Sequence, residues 1–141
     1  MTTDKMTDNA IGNRLTGSFT LDSWEQKVVD DRDGSPIARA HLTKTFTGDL
    51  TGTSSADILL AGGEGGARAY CGFERITGTV AGRTGSVVLR HNAQGDADSA
   101  WMTWQVLPGS GSGELAGVTG EGQITRHDDG SHSYWLELAF G

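Results

Sequence analysis

The segment Tyr70-Cys-Gly-Phe-Glu-Arg-Ile76 sets a carboxylate in the middle of an otherwise apolar run. Buried there, Glu74 would have a raised pKa and could act as a general acid or base. Beyond the next turn, Ser86-Val-Val-Leu-Arg-His91 ends on an imidazole, the side chain whose ordinary pKa lies nearest neutrality. Glu74 and His91 are therefore the candidate catalytic residues, and the chemistry they suit is proton transfer. Each also has a plainer reading. Glu74 could face solvent or pair with a cross-strand arginine such as Arg90, and His91 could be a hydrogen-bonded structural residue at a strand end. Three aromatics with a polar edge, Tyr70, Trp104 and Tyr134, are the candidate ligand-binding residues, although Tyr134 could equally just pack.

Other chemistries find less support. His127-Asp-Asp-Gly-Ser-His132 contains metal-ligand types, but Asp129-Gly130 signals a tight hairpin and the set lacks a third anchor, so no metal is expected. Gly109-Ser-Gly-Ser-Gly113 is glycine-rich like a phosphate loop, yet it lacks the Lys-Ser/Thr ending and the following helix. There is no Gly-x-Ser-x-Gly elbow, and the single cysteine, Cys71, has no adjacent base, so it is expected to pack as a small apolar residue. No cofactor is implied.

Whether the candidates meet depends on strand register across the turn near Val80. If Phe73 pairs with Val87, then Cys71, Phe73, Val87, Leu89 and His91 share a face and Glu74 lies opposite with Tyr70. If Glu74 pairs with Val87, then Tyr70, Gly72, Glu74, Leu89 and His91 share one face. A one-residue slip turns every side chain over, and the ambiguous turn length leaves both registers open. Only the second aims a carboxylate, a phenol and an imidazole at one cavity.

The elements that would position these groups are strands. Gly48-Asp-Leu-Thr-Gly52, Gly78-Thr-Val-Ala-Gly82 and Gly113-Glu-Leu-Ala-Gly117 repeat one pattern between runs rich in Thr, Val, Ile and aromatics. Paired glycines around one aliphatic residue let the chain reverse while that residue tucks under the turn. Eight strands are expected: Leu15–Trp24, Ile37–Thr47, Thr53–Ala61, Ala67–Thr77, Arg83–Asn92, Ser99–Leu107, Val118–Arg126 and Ser133–Phe140. Val28–Pro36 is the longest connection. Residues 1–14 read as a disordered leader and 15–141 as a single domain, consistent with a length of 141 residues. With 22 glycines against two prolines and no helical periodicity, the fold class is all-β. An antiparallel meander of this size hides its edges best as an eight-stranded up-and-down β-barrel, whose interior is either filled or holds one small ligand.

Composition limits the partners. A formal charge of −7 with scattered Lys and Arg argues against nucleic acid. No run has the length of a membrane span and the N-terminus shows no signal-peptide pattern, so a cytoplasmic protein is expected. Trp101 and Trp104 fall on opposite faces of their strand, and an outward tryptophan suggests a homo-oligomer interface unless the Val28–Pro36 loop covers it. In the last strand Tyr134, Leu136, Leu138 and Phe140 are expected to point inward.

Six segments together resemble the DUF3224 family of small bacterial proteins: Gly17-Ser-Phe-Thr-Leu-Asp-Ser-Trp24, Leu42-Thr-Lys-Thr-Phe-Thr-Gly-Asp-Leu50, Gly72-Phe-Glu-Arg-Ile-Thr-Gly78, Gly82-Arg-Thr-Gly-Ser-Val-Val-Leu-Arg-His91, Leu107-Pro-Gly-Ser-Gly-Ser-Gly-Glu-Leu-Ala-Gly117 and His132-Ser-Tyr-Trp-Leu136. The resemblance implies an allene-oxide-cyclase-like barrel, a fold also seen in dirigent-type proteins that guide reactive apolar intermediates. It implies no reaction, and none of the allene oxide cyclase's own motifs is present. Three functions stay open: a cofactor-independent barrel that binds a small apolar molecule and acts as an isomerase or cyclase by orientation and proton shuttling; a non-catalytic binding or sensing module; or a filled barrel used only in assembly.

Overall fold

The computed structural model describes residues 14–141. The expected leader falls almost wholly on residues 1–13, outside the described residues. Nine strands run β1 Leu15–Asp30, β2 Ile37–Gly48, β3 Leu50–Gly62, β4 Arg68–Val80, β5 Arg83–Gly95, β6 Ala100–Val106, β7 Ser112–Gly113, β8 Thr119–Arg126 and β9 His132–Ala139. Each long strand pairs antiparallel with its sequence neighbours, β1 pairs with β9, and β7 is a two-residue stub on the edge of β5. The eight long strands close into an up-and-down barrel.

Alternation decides what enters the barrel. In β2 the inward set is Ala38, Ala40, Leu42, Lys44 and Phe46, and in β9 it is Tyr134, Leu136 and Leu138, all buried. β4 and β5 pair Glu74 with Leu89 and Gly72 with His91. That offset differs by two residues from the pairing of Glu74 with Val87 but has the same parity, so Tyr70, Gly72, Glu74, Leu89 and His91 do share the inner face. Phe73 and Cys71 face outward. Cys71 is exposed, which corrects the expectation that it packs: it alternates with Tyr70, and Tyr70 points in.

The three glycine motifs end differently, although Leu50, Val80 and Leu115 are all buried at one end of the barrel as expected. In the second motif Gly78 lies inside β4, and the reversal is made by Ala81 and Gly82, at φ 52° and 75°. Two positive-φ residues between directly paired Val80 and Arg83 make the turn whose twist suits a hairpin. The third motif is no hairpin. Leu115, Ala116 and Val118 each donate a backbone bond three residues back, coiling the chain across the barrel end between β7 and β8.

β1 runs on to Asp30, well past the expected end at Trp24, and shrinks the expected loop to its last residues. A bulge inside it explains why alternation misleads there. Leu21 pairs with Lys44 and Ser23 with Thr43, leaving Asp22 without a partner. Asp22 is held by hydroxyls of Thr20 at 2.8 Å and Thr45 at 2.5 Å. The inner face of β1 thus switches from Phe19 and Leu21 to Trp24.

The two halves of the barrel differ. At the glycine-motif end, Phe46, Leu50, Ile76, Val80, Leu89, Trp104, Leu136 and Leu138 fill the interior and leave only about 20 Å³ free. The other half is unfilled. β1 pairs with β9 only from Leu15 to Phe19, so its far half rises beside β2 alone and the wall is open towards the β8–β9 hairpin. Of the described residues, no helix is long and apolar enough to cross a membrane.

Ala81 adopts a left-handed backbone without being glycine or asparagine, which costs about 1–2 kcal/mol. Replacing it with Asn, the residue this turn favours at that position, is expected to stabilise the protein by roughly 0.5–1 kcal/mol in urea unfolding. A destabilised Ala81→Asn variant would show that the turn is not of this type.

Candidate ligand-binding site

The unfilled half holds a cavity of about 310 Å³, a size suited to one small molecule. Leu42, Ala56, Ile58, Met102 and Ile124 give it apolar walls; Lys44, Tyr70 and His91 supply polar groups deep in it, and Arg126 and His132 supply them near the open side. It shares Trp24, Tyr70 and Met102 with a broader open mouth of about 830 Å³ that Trp101 also borders. Trp101 is thus the outward member of the Trp101–Trp104 pair and lies at this mouth, 54% exposed.

Glu74 lies beneath the cavity floor. It is fully buried and does not line the cavity. A carboxylate in the interior needs donors at both oxygens, and three other strands supply them. Lys44 Nζ from β2 reaches both oxygens at 3.2 Å. Ser54 from β3 donates to Oε2 at 2.6 Å, and the Trp104 indole from β6 donates to Oε1 at 3.1 Å. Trp104 can enter so deeply because its cross-strand neighbour is Gly122, where a Cβ would come within 2.9 Å of the indole. Arg90, the alternative partner in the sequence, lies outside and donates to Gln105.

Tyr70 and His91 form the cavity's own polar pair, with the phenol oxygen 2.9 Å from Nε2. His91 Nδ1 lies 3.8 Å from Glu74 Oε1. The negative charge there favours the tautomer with its proton on Nδ1, so Nε2 accepts a hydrogen bond from the Tyr70 hydroxyl. Burial, followed by the Lys44 charge, pushes the His91 pKa down to about 4, against a smaller upward pull from Glu74. Burial, followed by Glu74, pushes Tyr70 up to about 12. At neutral pH the pair is therefore an uncharged imidazole and an intact phenol.

Tyr134 sits elsewhere. Its hydroxyl donates to the Thr47 carbonyl at 2.9 Å and accepts from the Leu50 amide at 3.0 Å, so it ties the β2–β3 turn to β9. His132 reaches the cavity, whereas His127 bonds Ser133. No group of three or more His, Cys, Asp or Glu among the described residues could hold a metal ion.

Residues 15–138 match the model of DUF3224, a protein family of unknown function. The chain belongs to the DUF3224 family. A crystal structure of a protein with unknown function from the same family, from Shewanella oneidensis MR-1, is similar to it at 29% identity and a TM-score of 0.79, covering 92% of this chain and 97% of that one. No curated protein matches it.

In this DUF3224 protein the residue that sequence reasoning missed is Lys44. Its signal was present, since a lysine in the inward period Ala38, Ala40, Leu42, Lys44, Phe46 must meet a buried anion or remain unpaired. Its ammonium also lies 4.5 Å from the Phe19 ring centroid.

Breaking a buried ion pair from one side leaves a charge uncompensated. Lys44→Met is expected to cost about 3–5 kcal/mol in urea unfolding, with Lys44→Met/Glu74→Leu recovering most of it. A single substitution costing under about 1 kcal/mol would show the pair to be solvated.

His91 is expected to titrate near pH 4 by NMR, and a midpoint near 6.5 would mean that water reaches it freely. Its depressed native pKa carries a stability consequence. The unfolded chain takes up the proton first as pH falls below about 6.5, so stability drops from there to about pH 4, by on the order of 3 kcal/mol from this group. A His91→Gln variant should flatten that part of the stability profile.

Proposed function

We propose that this barrel binds a small, largely apolar molecule in its unfilled half, with Tyr70, His91 and Lys44 meeting the molecule's polar atoms. The observation that carries this reading is the uneven filling of the interior. The same strands pack tightly at one end yet leave an apolar-walled cavity at the other, with three polar side chains converging at its base. A barrel used only in assembly has no need of that asymmetry.

The same geometry favours recognition over proton shuttling. Efficient general acid–base groups have pKa values near the working pH, whereas His91 near 4 and Tyr70 near 12 are displaced away from it in opposite directions. Such a pair stays uncharged and bonded to itself, and it leaves the phenol oxygen as a fixed acceptor. Glu74, enclosed by Lys44, Ser54 and Trp104, has no surface on the cavity with which to take a substrate proton. Isomerase or cyclase activity would then depend on orientation by the walls.

The test is mass spectrometry of compounds retained and transformed when the purified protein is incubated with a small-molecule extract of its host, set beside Ile58→Trp, which fills the cavity. Retention by the wild type alone, with no conversion, is the expected result. A wild-type-only product would move the reading to an enzyme. Equal retention by Ile58→Trp, or none by either, would remove the cavity as the site.

A further inference from the structure

The charged side chains that line the cavity, Lys44 and Arg126, are both cations, with the imidazoles of His91 and His132 beside them, and no Asp or Glu side chain lines it, in a chain of formal charge −7. Lys44 is neutralised by Glu74 beneath the floor. Arg126 has no ion-pair partner among the described residues, in contrast to Arg14, Arg32 and Arg39. Its position is set by the β8–β9 hairpin, where Arg126 and His132 are directly paired and both belong to the inward period of their strands.

Two of these groups meet at one aromatic ring. His132 stacks on Phe19 with centroids 4.8 Å apart, and Lys44 Nζ approaches the same ring at 4.5 Å. The His132 pKa is lowered, first by burial and then by the positive charges of Lys44, Arg126 and His127, with no carboxylate among the causes. The side opening therefore lies at positive potential beside apolar walls, the combination that attracts a molecule with an anionic end and a hydrophobic body.

We propose that the cavity takes an amphipathic organic anion, whose apolar body lies against Phe19, Leu42, Ile58 and Tyr70 and whose carboxylate or sulfonate head sits at the side opening between Arg126 and His132. This rests on the cavity being a binding site. The head is recognised where the wall is open, so it keeps part of its hydration, and Arg126 gives it a planar two-pronged donor. A neutral molecule of the same shape lacks that contact.

The experiment compares two dyes with the same aromatic body, 8-anilinonaphthalene-1-sulfonate and neutral N-phenyl-1-naphthylamine, by fluorescence titration of wild type, Arg126→Gln and Ile58→Trp. The wild type should prefer the sulfonate. Arg126→Gln should lower the ratio of the two affinities about fivefold, and added salt should shrink the wild-type preference. Ile58→Trp should weaken both dyes together, which places them in the cavity. Binding of the neutral dye with no preference for the sulfonate, or a preference that survives Arg126→Gln, overturns the anionic head while leaving the cavity as a site. Failure of both dyes to bind wild type overturns the two together.

Discussion

The buried carboxylate of Glu74 constrains the rest of the barrel. An ion removed from water must be met by an opposite charge and by donors at its remaining lone pairs, or the cost runs to several kcal/mol. Here the partners come from three other strands, Lys44 on β2, Ser54 on β3 and Trp104 on β6. All of them point inward at one level, so the registers of β2–β3, β3–β4 and β4–β5–β6 must hold together. A slip of one residue at any of these junctions would turn a partner to the outside and leave the carboxylate short of a bond. Hydrophobic burial alone tolerates such exchanges more readily than a charge does.

That same level divides the interior. On one side the glycine motifs bring Leu50, Val80 and Leu115 under the barrel end, and the aromatic and aliphatic core closes tightly. On the other, the inward residues are small or short, with Ala38, Ala40 and Ala56 among them, and they do not reach across. The bulge at Asp22 turns Trp24 towards the cavity, and the early end of the β1–β9 pairing leaves the side open. The cavity thus arises from short inward side chains and unequal strand lengths. Among the described residues no separate lid or inserted loop is involved.

Much of this was legible. The all-β class, the closed barrel and the inward face of β9 follow from alternation and turn glycines, and the two faces of β4 and β5 were narrowed to a pair of choices. What separated those choices was the turn. Gly78 looks like a turn glycine yet lies in the strand, and only the positive φ of Ala81 and Gly82 sets the parity that brings Tyr70, Glu74 and His91 to one side. The same parity turns Cys71 outward, where its residue type alone suggests packing. Local chain irregularity hid the rest: a bulge removes the period-two signal, so β1 gave no warning that it would run to Asp30. Lys44 differs, because its inward period is plain in the sequence and the buried carboxylate that explains it lies on another strand.

The ion pair also shapes the electrostatics above it. Since Glu74 is enclosed by its donors, its charge is answered locally, and the groups that do reach the cavity are donors and bases. Burial lowers the pKa of both His91 and His132, Lys44 acts in the same direction, and Tyr70 is pushed up by burial and by Glu74. Each shift moves a group towards its uncharged form, which is what a hydrophobic cavity requires of side chains that must stay in place without a ligand. Arg126 is the exposed cation of the set, placed where the wall beside β1 is missing. The distribution of charge in the cavity therefore follows the shape of the barrel: neutral donors and acceptors where the sheet is closed, and a permanent cation where it is open.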